Sequence, residues 1–146
     1  MDPAVIRHMD IATNDGQDSL KLLQKALQSA EIEKSEDNGN VQYSNKSLDN
    51  KVLPLLKCLD LAELGYTAWK ILTRIPIKNK TGPEYIIPVL CIPGTEPKLV
   101  PRDRLHPDSH IYHDKAMDIR PGSYVYHDGP VDLLPGLTCL FVGNPS

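Results

Sequence analysis

The residue types with the most chemical promise lie in a repeated triplet, Tyr112-His113-Asp114 and Tyr126-His127-Asp128. Four residues after the aspartate of each triplet stands a further aspartate, Asp118 or Asp132, and His106 and His110 lie just upstream. Imidazole nitrogens and carboxylate oxygens together make a suitable ligand set for zinc, iron or manganese. Adjacent strands would bring the equivalent histidines side by side. On this reading the cofactor is a divalent transition metal, held by His106, His110, His113 and His127. An aspartate would act as base in a metal-dependent hydrolase or oxygenase. Two features pull the other way. Pro107 interrupts the His-x₃-His-x₂-His run, so those histidines do not share a helix face. In an extended segment His113 lies beside Ile111 and His127 beside Val125, which also suits packed, hydrogen-bonded rings.

Other catalytic patterns are absent from the sequence: there is no GxSxG, P-loop, GxGxxG or HExxH. Cys58, Cys91 and Cys139 each fall in an apolar run, where a thiol acts as a small hydrophobe. Their odd number and wide spacing exclude a disulfide framework or a cysteine zinc site. The tyrosines offer a different use. Tyr124 and Tyr126 point to one face of a strand, and tyrosine combines large contact area with a polar tip.

These groups must be positioned by a chain punctuated in a regular way. Pro93, Pro107, Pro121 and Pro135 are spaced by fourteen residues and are followed by Gly94, Asp108, Gly122 and Gly136. Each pair is a turn former. Between marks, segments such as Thr138-Cys139-Leu140-Phe141-Val142 suit strands. Only the two middle units agree over most positions, so the array from residue 93 is a degenerate 14-residue repeat that reports architecture. Eleven of the thirteen prolines lie at or after Pro76, which argues against long helices there. Upstream, Tyr66 to Ile75 alternates with period two and Tyr85 to Ile92 reads as its return strand. Pro88 within that return favours an edge or a bulge. Pro54 to Leu64 reads as a helix closed by Gly65.

The first fifty residues read as an acidic, partly helical arm and a flexible linker, ahead of a compact β-rich domain over 51–146. Asp2-Pro3 opens a short helix through Val5, Ile6 and Met9, which Thr13-Asn14-Asp15-Gly16 ends. Asp18 or Ser19 caps a second helix whose stripe of Leu20, Leu23 and Leu27 needs a partner: its own domain, a second copy or another protein. Ser35 to Ser47 is polar and reads as linker. The expected fold class is therefore mainly β with an α-helical N-terminal part (α+β), a small antiparallel barrel or sandwich built from short strands and Pro-Gly turns.

Net charge is −3, and neither half carries the basic field that nonspecific nucleic-acid binding requires. No signal-like start and no apolar run of membrane-spanning length occur, so a soluble, intracellular protein without a membrane span is expected. Body plan and the lack of catalytic signatures together point to a non-enzymatic structural or adaptor protein without a cofactor. It would assemble with itself or other proteins through the arm (Leu20, Leu23, Leu27) and a sheet surface bearing Tyr124 and Tyr126, as shell and coat subunits do. The metal-dependent enzyme is the competing expectation. A weaker third is a single-stranded nucleic-acid-binding β-barrel using Tyr66, Trp69 and the basic run Lys70, Arg74, Lys78 and Lys80.

Overall fold

Period-two alternation is the dominant pattern of the computed structural model, which describes residues 6–77, 83–101 and 116–143. In chain order the elements are β1 (Ile6–Asp10), α1 (Asn14–Leu27), β2 (Ile32–Ser35), β3 (Val41–Tyr43), a 3₁₀ turn (Asn45–Ser47) and α2 (Asp49–Cys58). Then follow β4 (Gly65–Ile71), β5 (Ile75–Ile77), β6 (Glu84–Cys91), β7 (Lys98–Pro101), β8 (Met117–Asp118), β9 (Ser123–His127), β10 (Val131–Leu133) and β11 (Leu137–Gly143). The strands form two antiparallel sheets, one ordered β1-β9-β6-β11-β4-β3-β2 and the other β5-β10-β7-β8. The fold is α+β and mainly β; among the described residues it is an open sandwich, not a closed barrel.

Alternation decides what each face of the larger sheet buries. Ala68, Ile87, Val89, Leu140 and Val142 point to one side, where Leu20, Leu23 and Leu27 of α1 and Val52, Leu55 and Leu56 of α2 cover them. Ile71, Ile86, Val125, Leu137 and Cys139 point to the other, where Leu99, Val131 and Leu133 of the smaller sheet and the nearby Ile119 meet them. Two apolar cores therefore separate three layers, in keeping with the rule that a sheet face must be covered. Pro88 lies in a central strand, and the pairing of β6 with β11 shifts register between Thr138 and Cys139, opposite it. The bulge accommodates a residue with no N–H to give to the ladder.

The first fifty residues are placed in these layers. β1 pairs with β9 at one edge, and β2 and β3 complete the other. Residues 6–10, expected in a helix, are strand. Thr13 does not end a helix but begins α1, its hydroxyl accepting from the Gly16 N–H at 3.0 Å, five residues ahead of the expected cap. α2 also starts earlier than Pro54, at Asp49, and ends at Cys58. The expected linker Ser35 to Ser47 holds β3 and the 3₁₀ turn.

Three of the four ruler marks are turns with glycine in the left-handed region: Gly94 at φ 82°, Gly122 at 101° and Gly136 at 121°. Pro107-Asp108 falls outside the described residues. At Gly136 a Cβ would come within 2.3 Å of the Thr95 hydroxyl, so the first and last turns interlock only because that position is bare. The Ile92 N–H donates to the Gly136 carbonyl at 2.8 Å, and the Gly136 N–H to the Ile71 carbonyl at 2.9 Å.

Candidate functional site

One cross-strand row of the larger sheet concentrates the chemistry. Register places Ile6, His127, Glu84, Gly143 and Gly65 opposite one another on β1, β9, β6, β11 and β4. Their neighbours at two-residue spacing, Val125, Ile86 and Phe141, belong to the core between the sheets, so the row borders that space at its end. His127 and Glu84 are thus adjacent strand partners, with Cβ atoms about 5 Å apart by the geometry of antiparallel pairing.

His127 is fully buried, and its Nδ1 lies 3.1 Å from the Gly129 carbonyl oxygen. A carbonyl can only accept, so Nδ1 carries the proton and Nε2 carries the lone pair. Burial lowers the ring's pKa; the Gly129 bond and the Asp128 charge oppose that shift without cancelling it. The imidazole is held neutral with a fixed tautomer. Glu84 moves the other way, its carboxyl pKa raised by burial. Bare backbone beside it gives its side chain room, since a Cβ on Gly143 would sit 3.1 Å from Glu84 Cγ.

Glu84 also lines a cleft of about 710 Å³. Trp69 and Phe141 rise from the larger sheet, Ile75 and Ile77 come from β5, and Glu36 stands at the β2 end. The indole N–H of Trp69 donates to Thr67 Oγ1 at 3.1 Å. The connection from β4 to β5, which carries the β5 wall, is pinned at two points. Asn40, buried in the expected linker, accepts from the Leu72 and Thr73 N–H groups at 2.7 and 2.9 Å and gives its amide to the Thr73 carbonyl at 3.4 Å. Arg74 forms an ion pair with the fully buried Asp132.

The sequence candidates are distributed unevenly around this site. His127 is in it. His106, His110 and His113 lie outside the described residues, though β7, which leads into them, ends at Pro101 opposite Val131, four positions beyond His127. Among the described residues no group of three His, Cys, Asp or Glu side chains is placed to hold a metal. Asp132 faces away from the inter-sheet core that Val131 and Leu133 enter, and is held by Arg74. Asp118 is exposed, 3.7 Å from Lys98.

Leu20, Leu23 and Leu27 are 5%, 0% and 5% exposed, so the α1 stripe finds its partner within its own chain. Tyr124 and Tyr126 lie on the helix-side face, each meeting Tyr85, with ring centroids 6.3 and 5.4 Å apart. Arg7 sits over the Tyr126 ring at 5.8 Å. Tyr66 packs toward the helices and Trp69 toward the smaller sheet, so the two rings proposed as a stacking platform lie on opposite faces. Cys139 is buried with its thiol pKa pushed up, whereas Cys58 and Cys91 are exposed and not core residues as expected. Sequence reading passed over Glu84 and Asn40. A lone acid at the inward phase of an apolar strand was the only available signal for the first.

No protein-family model and no curated protein matches the chain. Among solved structures it is similar to the non-heme alpha-ketoglutarate-dependent carbocyclase SnoK from nogalamycin biosynthesis, with a TM-score of 0.49 and 13% identity over 94% of this chain and 78% of that one. That neighbour is named as an enzyme, which at this TM-score is a statement about that protein alone; the expectation of an adaptor that assembles through its helical arm is corrected on the packing of this chain. The burial of the α1 stripe removes one of the two surfaces on which that expectation stood. At this TM-score the likeness transfers neither SnoK's cofactor nor its reaction.

Proposed function

We propose that the chain is a small metal-dependent enzyme working at the Glu84/His127 end of the sandwich. The observation that carries this is the state of His127. The ring is buried and neutral, its Nδ1–H is anchored on a backbone carbonyl, and its lone pair is therefore on Nε2. A carbonyl on the far nitrogen is the usual outer support of a metal-binding histidine, fixing ring orientation and raising basicity. His106, His110 and His113 are the sequence's candidates for the remaining ligands. A divalent transition metal bound there would supply Lewis acidity or an activated water. Glu84, its carboxyl raised in pKa by burial beside the cleft, is the candidate for proton transfer.

Metal analysis of the purified full chain, loaded in turn with zinc, manganese and ferrous iron and then desalted, tests this reading. About one equivalent of one of these metals is expected in the wild type and none in His127→Ala. Near-UV circular dichroism of the variant separates lost metal from lost fold. A well-folded wild type that retains none of the three metals would overturn the proposal.

A further inference from the structure

The cleft beside Glu84 has a chemistry that selects among ligands. Its volume of about 710 Å³ falls within the range of small-molecule sites. Its walls include the Trp69 and Phe141 rings and the aliphatic side chains of Ile75 and Ile77. Much of its polar lining is already committed. The Trp69 N–H goes to Thr67, so the indole offers its π surface more than its donor. The Asn40 amide is spent on the turn at Leu72 and Thr73, and Asn38 Oδ1 accepts from the Asn40 N–H at 2.9 Å. The carboxyl groups of Glu36 and Glu84 remain as the charged groups, and no Lys, Arg or His is among the described lining residues. Acids beside aromatic faces attract a cation twice, by direct charge and by the ring quadrupole, and repel an anion.

We propose that this cleft binds an amine-bearing small molecule with an apolar body, its ammonium at the Glu84 carboxyl group and its body against Phe141 and Trp69. The inference names the substrate class of the proposed enzyme. It rests on that reading for turnover but not for binding.

Trp69 is the only tryptophan in the chain, so its emission reports this cleft alone. Titration of the full-length protein with 3-phenylpropylamine should change that emission saturably. The isosteric acid 3-phenylpropionate should bind at least about tenfold more weakly. Glu84→Gln should weaken the amine by about five- to tenfold, whereas Glu36→Gln, at the far end of the cleft, should leave it within about twofold. Saturation-transfer NMR gives an independent readout of both probes. Equal or tighter binding of the acid, or no saturable response to the amine, would overturn the proposal. Amine binding by a wild type that holds no metal sinks the enzyme reading alone, whereas stoichiometric metal without amine binding sinks this one alone.

Discussion

At the residue scale, His127 and Glu84 are neighbours whose burial acts on opposite charge states, and this makes their linkage to stability separable. The His127 pKa is lowered in the fold, so below the usual imidazole value of 6.5 the unfolded chain takes up the proton first. Its contribution is fully present above that pH and is lost as pH falls toward the depressed folded value. Glu84 is raised, so the fold disfavours its ionised form at neutral pH. That penalty is relieved as pH falls through the raised folded value toward the usual 4.5. Urea unfolding at pH 7.5, 6.0 and 5.0 should therefore give a smaller loss of stability on acidification in His127→Gln than in wild type. Glu84→Gln should instead unfold at higher urea than wild type at pH 7.5, with the difference shrinking on acidification. A wild-type profile that matches the His127→Gln profile would show that the ring is not held neutral by burial.

At the element scale, the β5 wall of the cleft depends on a turn whose backbone donors at Leu72 and Thr73 take their partner from outside the turn. Asn40 supplies that partner from β3's side, accepting from two backbone N–H groups with one carbonyl oxygen. Replacing it with alanine strips both donors of their partner in a buried place, with an expected loss of about 2–3 kcal/mol. Asn40→Asp, which keeps an acceptor oxygen, should recover part of that loss. Thermal unfolding of the two variants checks this, and equal melting temperatures for Asn40→Ala and wild type would count against it. The same residue shows why some elements were legible in sequence and others were not. β4 and β6 are long, half-apolar and alternating, and the Pro93-Gly94 mark names the turn that follows β6. β2 and β3 are four- and three-residue strands at a sheet edge, and β2 is exposed throughout, so no apolar alternation announces them. Asn40 then looks like linker because its work is to bond a backbone segment distant in sequence. The site was legible only in its histidine. Glu84 becomes its neighbour through the register of β6 against β9, which a single sequence does not reveal.

At the scale of the whole molecule, the three layers leave no autonomous body behind the first fifty residues. Ile11, Leu20, Leu23 and Leu27 cover the helix-side face of the larger sheet together with α2, and Gln24 reaches from α1 to the Val89 carbonyl at 2.8 Å. β1 closes the edge next to His127, and β3 closes the edge of β4 beside the cleft. Removing them would bare one side of Ala68, Ile87, Val89, Leu140 and Val142 and leave two sheet edges unpaired. A single truncation such as Leu23→Ala, at a side chain with 0% exposure, already carries an expected loss of about 2–5 kcal/mol. That is a large share of the roughly 5–15 kcal/mol by which domains of this size are stable. A chain beginning at Asn50 should therefore lack a cooperative unfolding transition and near-UV circular dichroism, and should bind a hydrophobic dye that the full chain excludes. The competing outcome is a soluble, cooperatively folding 50–146 fragment. It would mean that the smaller sheet and α2 suffice to hold β4, β6 and β11, and that α1 only caps a core already formed. The buried positions of Leu20, Leu23 and Leu27 favour the first outcome, because an apolar face of this extent left in water is the surface on which β-rich chains aggregate.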